Sequence, residues 1–123
     1  MKRIILSVIT AAGLVLATGS AGAATIARVI GVQVTDVKAY AHEVEALQGQ
    51  FKKAGVSVTI RIWRARFAGA DAGALIVAVE MPDLATLAKV DELQKSNAEI
   101  AATMQKIGTL RKIVSDSIYE EVK

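Results

Sequence analysis

Between Val56 and Trp63 the chain alternates without a break. Val56, Val58, Ile60 and Ile62 carry one parity, and Ser57, Thr59, Arg61 and Trp63 the other. Period-two alternation is a β-strand with one apolar face and one mixed face, because successive side chains leave a strand on opposite sides. A strand of this kind needs a layer on its apolar side only. That excludes an all-helical fold and points to a sheet covered by helices on one face.

The neighbouring segments supply those helices. Ile26 to Val34 is rich in β-branched residues and reads as a first strand. Thr35-Asp36 then offers an N-cap, and Val37, Tyr40, Val44, Leu47 and Phe51 recur at spacings of three and four, one apolar stripe about four turns long. Lys52 and Lys53 fall in its last turn and Gly55 marks the stop. The alternating strand is expected to run on to Phe67. A turn with two glycines over residues 68–73 follows, then Ala74 to Glu80, apolar on both parities as a central strand would be. Pro82-Asp83 opens a second helix carrying Leu84, Leu87, Val90 and Leu93. Ser96-Asn97-Ala98-Glu99 has capping-box spacing and restarts a helix through Ile100, Met104 and Ile107, ending at Gly108. Lys112 to Tyr119 is the last strand, its polar mixture fitting an edge.

The element order is β-α-β-β-α-β, which predicts an α+β, ferredoxin-like fold: a four-stranded antiparallel sheet in the order 4-1-3-2 with the helices on one face. Asp36 and Asp83 are expected as helix caps, Tyr40 as core, and Ser115, Asp116 and Ser117 as edge-strand polar groups. Arg28 shares parity with Ile30, Val32 and Val34, and its face is left open.

The beginning of the chain has a different character. Lys2 and Arg3 precede an apolar run from Ile4 to Leu16, and the small residues of 17–23 end in Ala21-Gly22-Ala23. This is the order of a cleavable signal peptide, residues 1–23, with an apolar run too short for the roughly 20 residues of a spanning helix. Residues 24–123 then form one domain. The expectation is a periplasmic or secreted protein with no stable membrane anchor after cleavage. The whole chain carries 15 basic and 12 acidic residues. Lys2 and Arg3 leave with the leader, so the remainder is 13 against 12, a charge of +1, and gives no case for nucleic acid. Cysteine is absent and histidine occurs once, at His42. Disulfides, thiolate chemistry and a multi-histidine metal centre are therefore excluded, and no cofactor or metal is expected.

The face that the helices leave bare concentrates the candidate residues. Thr59, Arg61 and Trp63 line it, with Glu80 at the end of the central strand. A bare sheet face carrying a tryptophan marks association or ligand contact, and pairing of two such faces in a homodimer is the economical solution. Between the sheets Arg61 suits a carboxylate or enolate, and Trp63 suits a flat ligand. Arg64 and Arg66 have the opposite parity.

The segments Arg61-Ile62-Trp63-Arg64-Ala65, Val79-Glu80-Met81-Pro82-Asp83-Leu84 and Ile113-Val114-Ser115-Asp116-Ser117-Ile118-Tyr119, in this element order, resemble the dimeric α+β barrel superfamily over about residues 26 to 122. Its members include the antibiotic-biosynthesis monooxygenase-like and NIPSNAP-like families. The resemblance implies a homodimer closing into a barrel with a small apolar or weakly anionic ligand inside. Two alternatives stand beside it, the first implied by the resemblance and the second by the bare sheet face. One is a cofactor-independent monooxygenase or isomerase acting on a small aromatic or enolisable substrate, with Arg61 as the cation and Glu80 or His42 as the base. The other is a periplasmic protein-interaction module. His42 lies about 200° round its helix from the apolar stripe, a solvated position. Some members of the superfamily use a helix histidine as a haem ligand or acid–base group.

Overall fold

A computed structural model describes residues 24–66, 69 and 72–123. The expected leader, residues 1–23, lies outside the described residues. Seven elements follow in order: β1 (Ile26–Val34), α1 (Val37–Lys53), β2 (Thr59–Arg64), β3 (Leu75–Met81), α2 (Leu84–Ser96), α3 (Ala98–Leu110) and β4 (Arg111–Glu120). The strands form one antiparallel sheet in the order β2-β3-β1-β4, the arrangement expected from the sequence. The fold is ferredoxin-like α+β, with the second helical limb divided in two.

Each helix begins and ends where its sequence supplies hydrogen-bond partners. The Asp36 carboxylate accepts from Ala39 N at 3.0 Å and starts α1. The helix closes through Gly55, whose φ of 81° places it in the left-handed region that glycine tolerates best. There Val56 N donates to the Phe51 carbonyl at 3.0 Å. That bond commits Val56 to the helix exit, so β2 starts at Thr59 and not at Val56. It also stops at Arg64, and Phe67 is outside the described residues. Asp83 caps α2 by accepting from Thr86 N and Oγ1 at 2.8 and 2.7 Å. These two bonds favour the ionised carboxylate and lower its pKa.

The restart of the second limb differs by one residue from the capping-box reading. Asn97, not Ser96, is the cap: its Oδ1 accepts from Glu99 N and Ile100 N, each at 3.1 Å. Ser96 stays in the last turn of α2 and donates to the Glu92 carbonyl. Asparagine caps as well as serine does, and its longer side chain reaches both amides. Asn97→Ala is expected to cost about 1 kcal/mol, read as a lower urea midpoint with an unchanged slope. Gly108 does not end α3; the helix continues to Leu110 and passes into β4 without a loop.

The core lies between the helices and one face of the sheet. Tyr40, Val44, Leu47 and Phe51 of α1, Val90 of α2, and Ile100 and Ile107 of α3 are buried against Ile26, Ile30 and Val32 of β1 and Leu75, Val77 and Met81 of β3. Each such side chain contributes about 1.5–3 kcal/mol. Leu84, expected on the buried stripe of its helix, is 58% exposed at the first turn of α2. The helices leave most of β4 uncovered, and every residue of it after Arg111 is exposed. The other sheet edge is partly closed, because the Gln48 carboxamide oxygen accepts from Ile60 N and covers one outward amide of β2.

Candidate functional site: the open sheet face and the helix-side cavity

Register assigns every strand residue to a face. The pairs Thr59–Glu80, Arg61–Ala78 and Trp63–Ile76 join β2 to β3. The pairs Ala27–Glu80, Val29–Ala78 and Gly31–Ile76 join β3 to β1, and Ala27–Tyr119, Val29–Ser117 and Gly31–Ser115 join β1 to β4. Three rows therefore cross the open face: Thr59–Glu80–Ala27–Tyr119, Arg61–Ala78–Val29–Ser117 and Trp63–Ile76–Gly31–Ser115. All four residues singled out from the sequence, Thr59, Arg61, Trp63 and Glu80, stand together on this face. Arg61 Nη1 and Glu80 Oε2 are 3.5 Å apart.

The relief of the face follows from side-chain size. Its two middle strands carry the small Ala27, Gly31 and Ala78 beside Val29, Ile76 and Glu80, while Trp63 and Tyr119 stand at diagonally opposite corners, 57% and 59% exposed. At Gly31 a Cβ would fall on Ser115 Oγ, so a larger residue there would force the Ser115 side chain to turn away. A bulge between Gly31 and Val32 leaves Val114 as the extra residue of β4. Large apolar groups in water around a centre that is low at Ala27, Gly31 and Ala78 form a surface suited to contact.

The other candidates separate from this group. His42 is exposed on α1, in an open surface depression with Asp36, Lys38 and Lys106. Arg64 has the helix-side parity and is exposed, as is Arg66. Among the described residues no three His, Asp or Glu side chains are grouped to hold a metal ion, and no helix is long and apolar enough to cross a membrane.

A second polar group, which the sequence reading did not assemble, lies on the helix side. Arg28 falls on this face through its pairing with Val79. Its Nε and Nη2 donate to Asp116 Oδ1 and Oδ2 at 2.9 and 2.7 Å, a two-pronged ion pair about one third exposed. Arg111, at the α3–β4 junction, donates from Nη1 to Tyr40 Oη at 3.3 Å. These four side chains border an otherwise mainly apolar cavity of about 110 Å³ between helices and sheet.

The hydrogen bond from Arg28 holds the Asp116 carboxyl below its ordinary value, and the charges of Arg28 and Arg111 add to the effect. The same bond raises Arg28, against the opposing effect of burial. A carboxyl with a depressed pKa in the folded state contributes stability above its ordinary value of 3.8 and loses it as pH falls through the lower folded value. Screened at the surface, the pair is worth about 1 kcal/mol or less. Asp116→Asn is therefore expected to lower the urea midpoint at about pH 6, and the gap to wild type should narrow progressively as the pH is taken below the ordinary carboxyl value of 3.8.

No protein-family model matches the chain, and no curated protein matches it. Among solved structures it is similar to a conserved protein of unknown function from Bacteroides thetaiotaomicron, described as a possible oxidoreductase. The two share 12% identity with a TM-score of 0.58, over 81% of this chain and 100% of that one. The likeness is one of fold. Fold alone does not carry an activity from one chain to another.

Proposed function

We propose that this chain is an exported homodimer of the dimeric α+β barrel superfamily, closed by two copies of the open sheet face, that binds a small apolar or weakly anionic molecule between the sheets. The observation that carries this reading is the composition of that face: an exposed tryptophan and tyrosine at its corners, and a centre where Ala27, Gly31 and Ala78 leave low ground beside Val29 and Ile76. Facing sheets pack about 10 Å apart. At that distance the bulky corner groups of one copy have room over the low ground of the other. Within the enclosed space Trp63 offers a flat apolar surface and Arg61 a cation steadied by Glu80, with the Thr59 hydroxyl in the same row as Glu80. Signal-like residues 1–23 support delivery to the periplasm or the medium.

A second reading draws on the Arg61–Glu80 pair and on the possible oxidoreductase nature of the structural neighbour. In it the protein is a cofactor-independent monooxygenase or isomerase. Glu80 takes a proton from a small enolisable or aromatic substrate and Arg61 holds the resulting enolate. Complete loss of turnover in Arg61→Ala would be required of it.

Native mass spectrometry of the full-length gene product, recovered gently from the periplasmic fraction, tests the first reading. Twice the mass of a chain beginning at Ala24 is expected, with an added small-molecule mass on part of the population. A monomer that retains Met1 contradicts both export and pairing. A monomer that co-purifies with a different protein favours an interaction module instead.

A further inference from the structure

The helix-side cavity is separate from the open face and does not depend on dimerisation. Its walls are mainly apolar through side chains such as Phe51, Val77 and Met104, and its polar lining is Arg28, Tyr40, Gln94, Arg111 and Asp116. Charge there is unevenly used. Arg28 and Asp116 satisfy each other through two hydrogen bonds. Arg111 is half-buried and, among the described residues, has no carboxylate within 4 Å. Its one side-chain bond goes to Tyr40 Oη. Tyr40 is 0% exposed. Its hydroxyl accepts from Arg111 and, among the described residues, donates to no acceptor. Among the described residues, a guanidinium with no directly bonded carboxylate and a buried O–H donor with no acceptor therefore meet on the wall of a mainly apolar space.

We infer that this cavity is a binding site for a short-chain monocarboxylic acid, its carboxylate held by the Arg111 guanidinium and the Tyr40 hydroxyl and its hydrocarbon chain inside. Arginine matches a carboxylate geometrically with two parallel N–H donors, and the buried hydroxyl supplies a third. The volume sets the chain length. An apolar cavity of about 150 Å³ accommodates benzene, so about 110 Å³ suits a chain of roughly four or five carbons. Asp116 sets the charge limit: on the same cavity wall, it repels a second carboxylate. Acetate gains the ionic contact without the chain, and an alcohol of equal length gains the chain without the ionic contact.

The test is methyl NMR of the isoleucine-, valine- and methionine-labelled protein titrated with pentanoate, pentan-1-ol and acetate. Pentanoate is expected to shift the Val77 and Met104 methyls saturably, with pentanol and acetate each at least tenfold weaker. Arg111→Met should weaken pentanoate at least tenfold and leave pentanol unchanged, and Arg111→Lys should recover part of the loss. Should Arg111→Met lose its methyl dispersion, Tyr40→Phe takes its place, with a loss of threefold or more expected for pentanoate alone. Equal affinities for pentanoate and pentanol overturn the assignment of the carboxylate. Absence of saturable shifts at the cavity methyls with any of the three overturns the site, and neither result bears on pairing through the open face.

Discussion

Under the proposed pairing of two open sheet faces, Trp63→Glu is expected to shift the protein from dimer to monomer, with a rise in the dimer dissociation constant of at least a hundredfold. Aromatic groups fully desolvated in an interface contribute about 2 kcal/mol or more each, and tryptophan is prominent among them. Under two-fold symmetry the change is made twice in each dimer. A carboxylate beside Trp63's neighbour Ile76 would also be buried against the facing sheet without a partner, which adds to the loss. The folded protomer should be spared, because Trp63 is 57% exposed within it. Sedimentation velocity over a concentration series reads the first effect, and the far-ultraviolet circular dichroism of the monomer reads the second. A Trp63→Glu protein that remains a dimer at low concentration would place the interface elsewhere.

Phe51→Ala is expected to cost about 3–5 kcal/mol of protomer stability. Phe51 is 1% exposed in the last helical turn of α1 and borders the helix-side cavity. Truncation therefore enlarges a space that already exists, and surrounding side chains cannot close both volumes. For a domain of this size the loss corresponds to a fall in melting temperature of about 15 °C or more. Thermal unfolding followed by circular dichroism measures it. A shift of only a few degrees would mean that α1 repacks over the gap.

The contrast between the two faces explains what was legible in the sequence. The strict alternation of β2 placed Thr59, Arg61 and Trp63 on the open side with no help from tertiary structure, since parity is a local property of an extended chain. Glu80 joined them because β3 is central and pairs Thr59 with Glu80. β1 offers no such handle. Its residues are largely apolar at both parities, so Arg28 had no determinable face until register placed it. The Arg111–Tyr40 contact spans 71 residues and depends on α3 running directly into β4. No periodicity encodes a junction of that kind. The bulge at Gly31/Val32 is similarly a property of two paired strands and not of either alone.

Trp63 is the only tryptophan in the chain, so its fluorescence reports on the open face without further labelling. The direct test of the central claim is its emission maximum as the protein is diluted from the micromolar range downward. Pairing through this face predicts a blue-shifted maximum at high concentration that moves to the red on dilution, with the same midpoint as dissociation measured by sedimentation. A maximum that stays at the value of a water-exposed indole at every concentration would contradict the account.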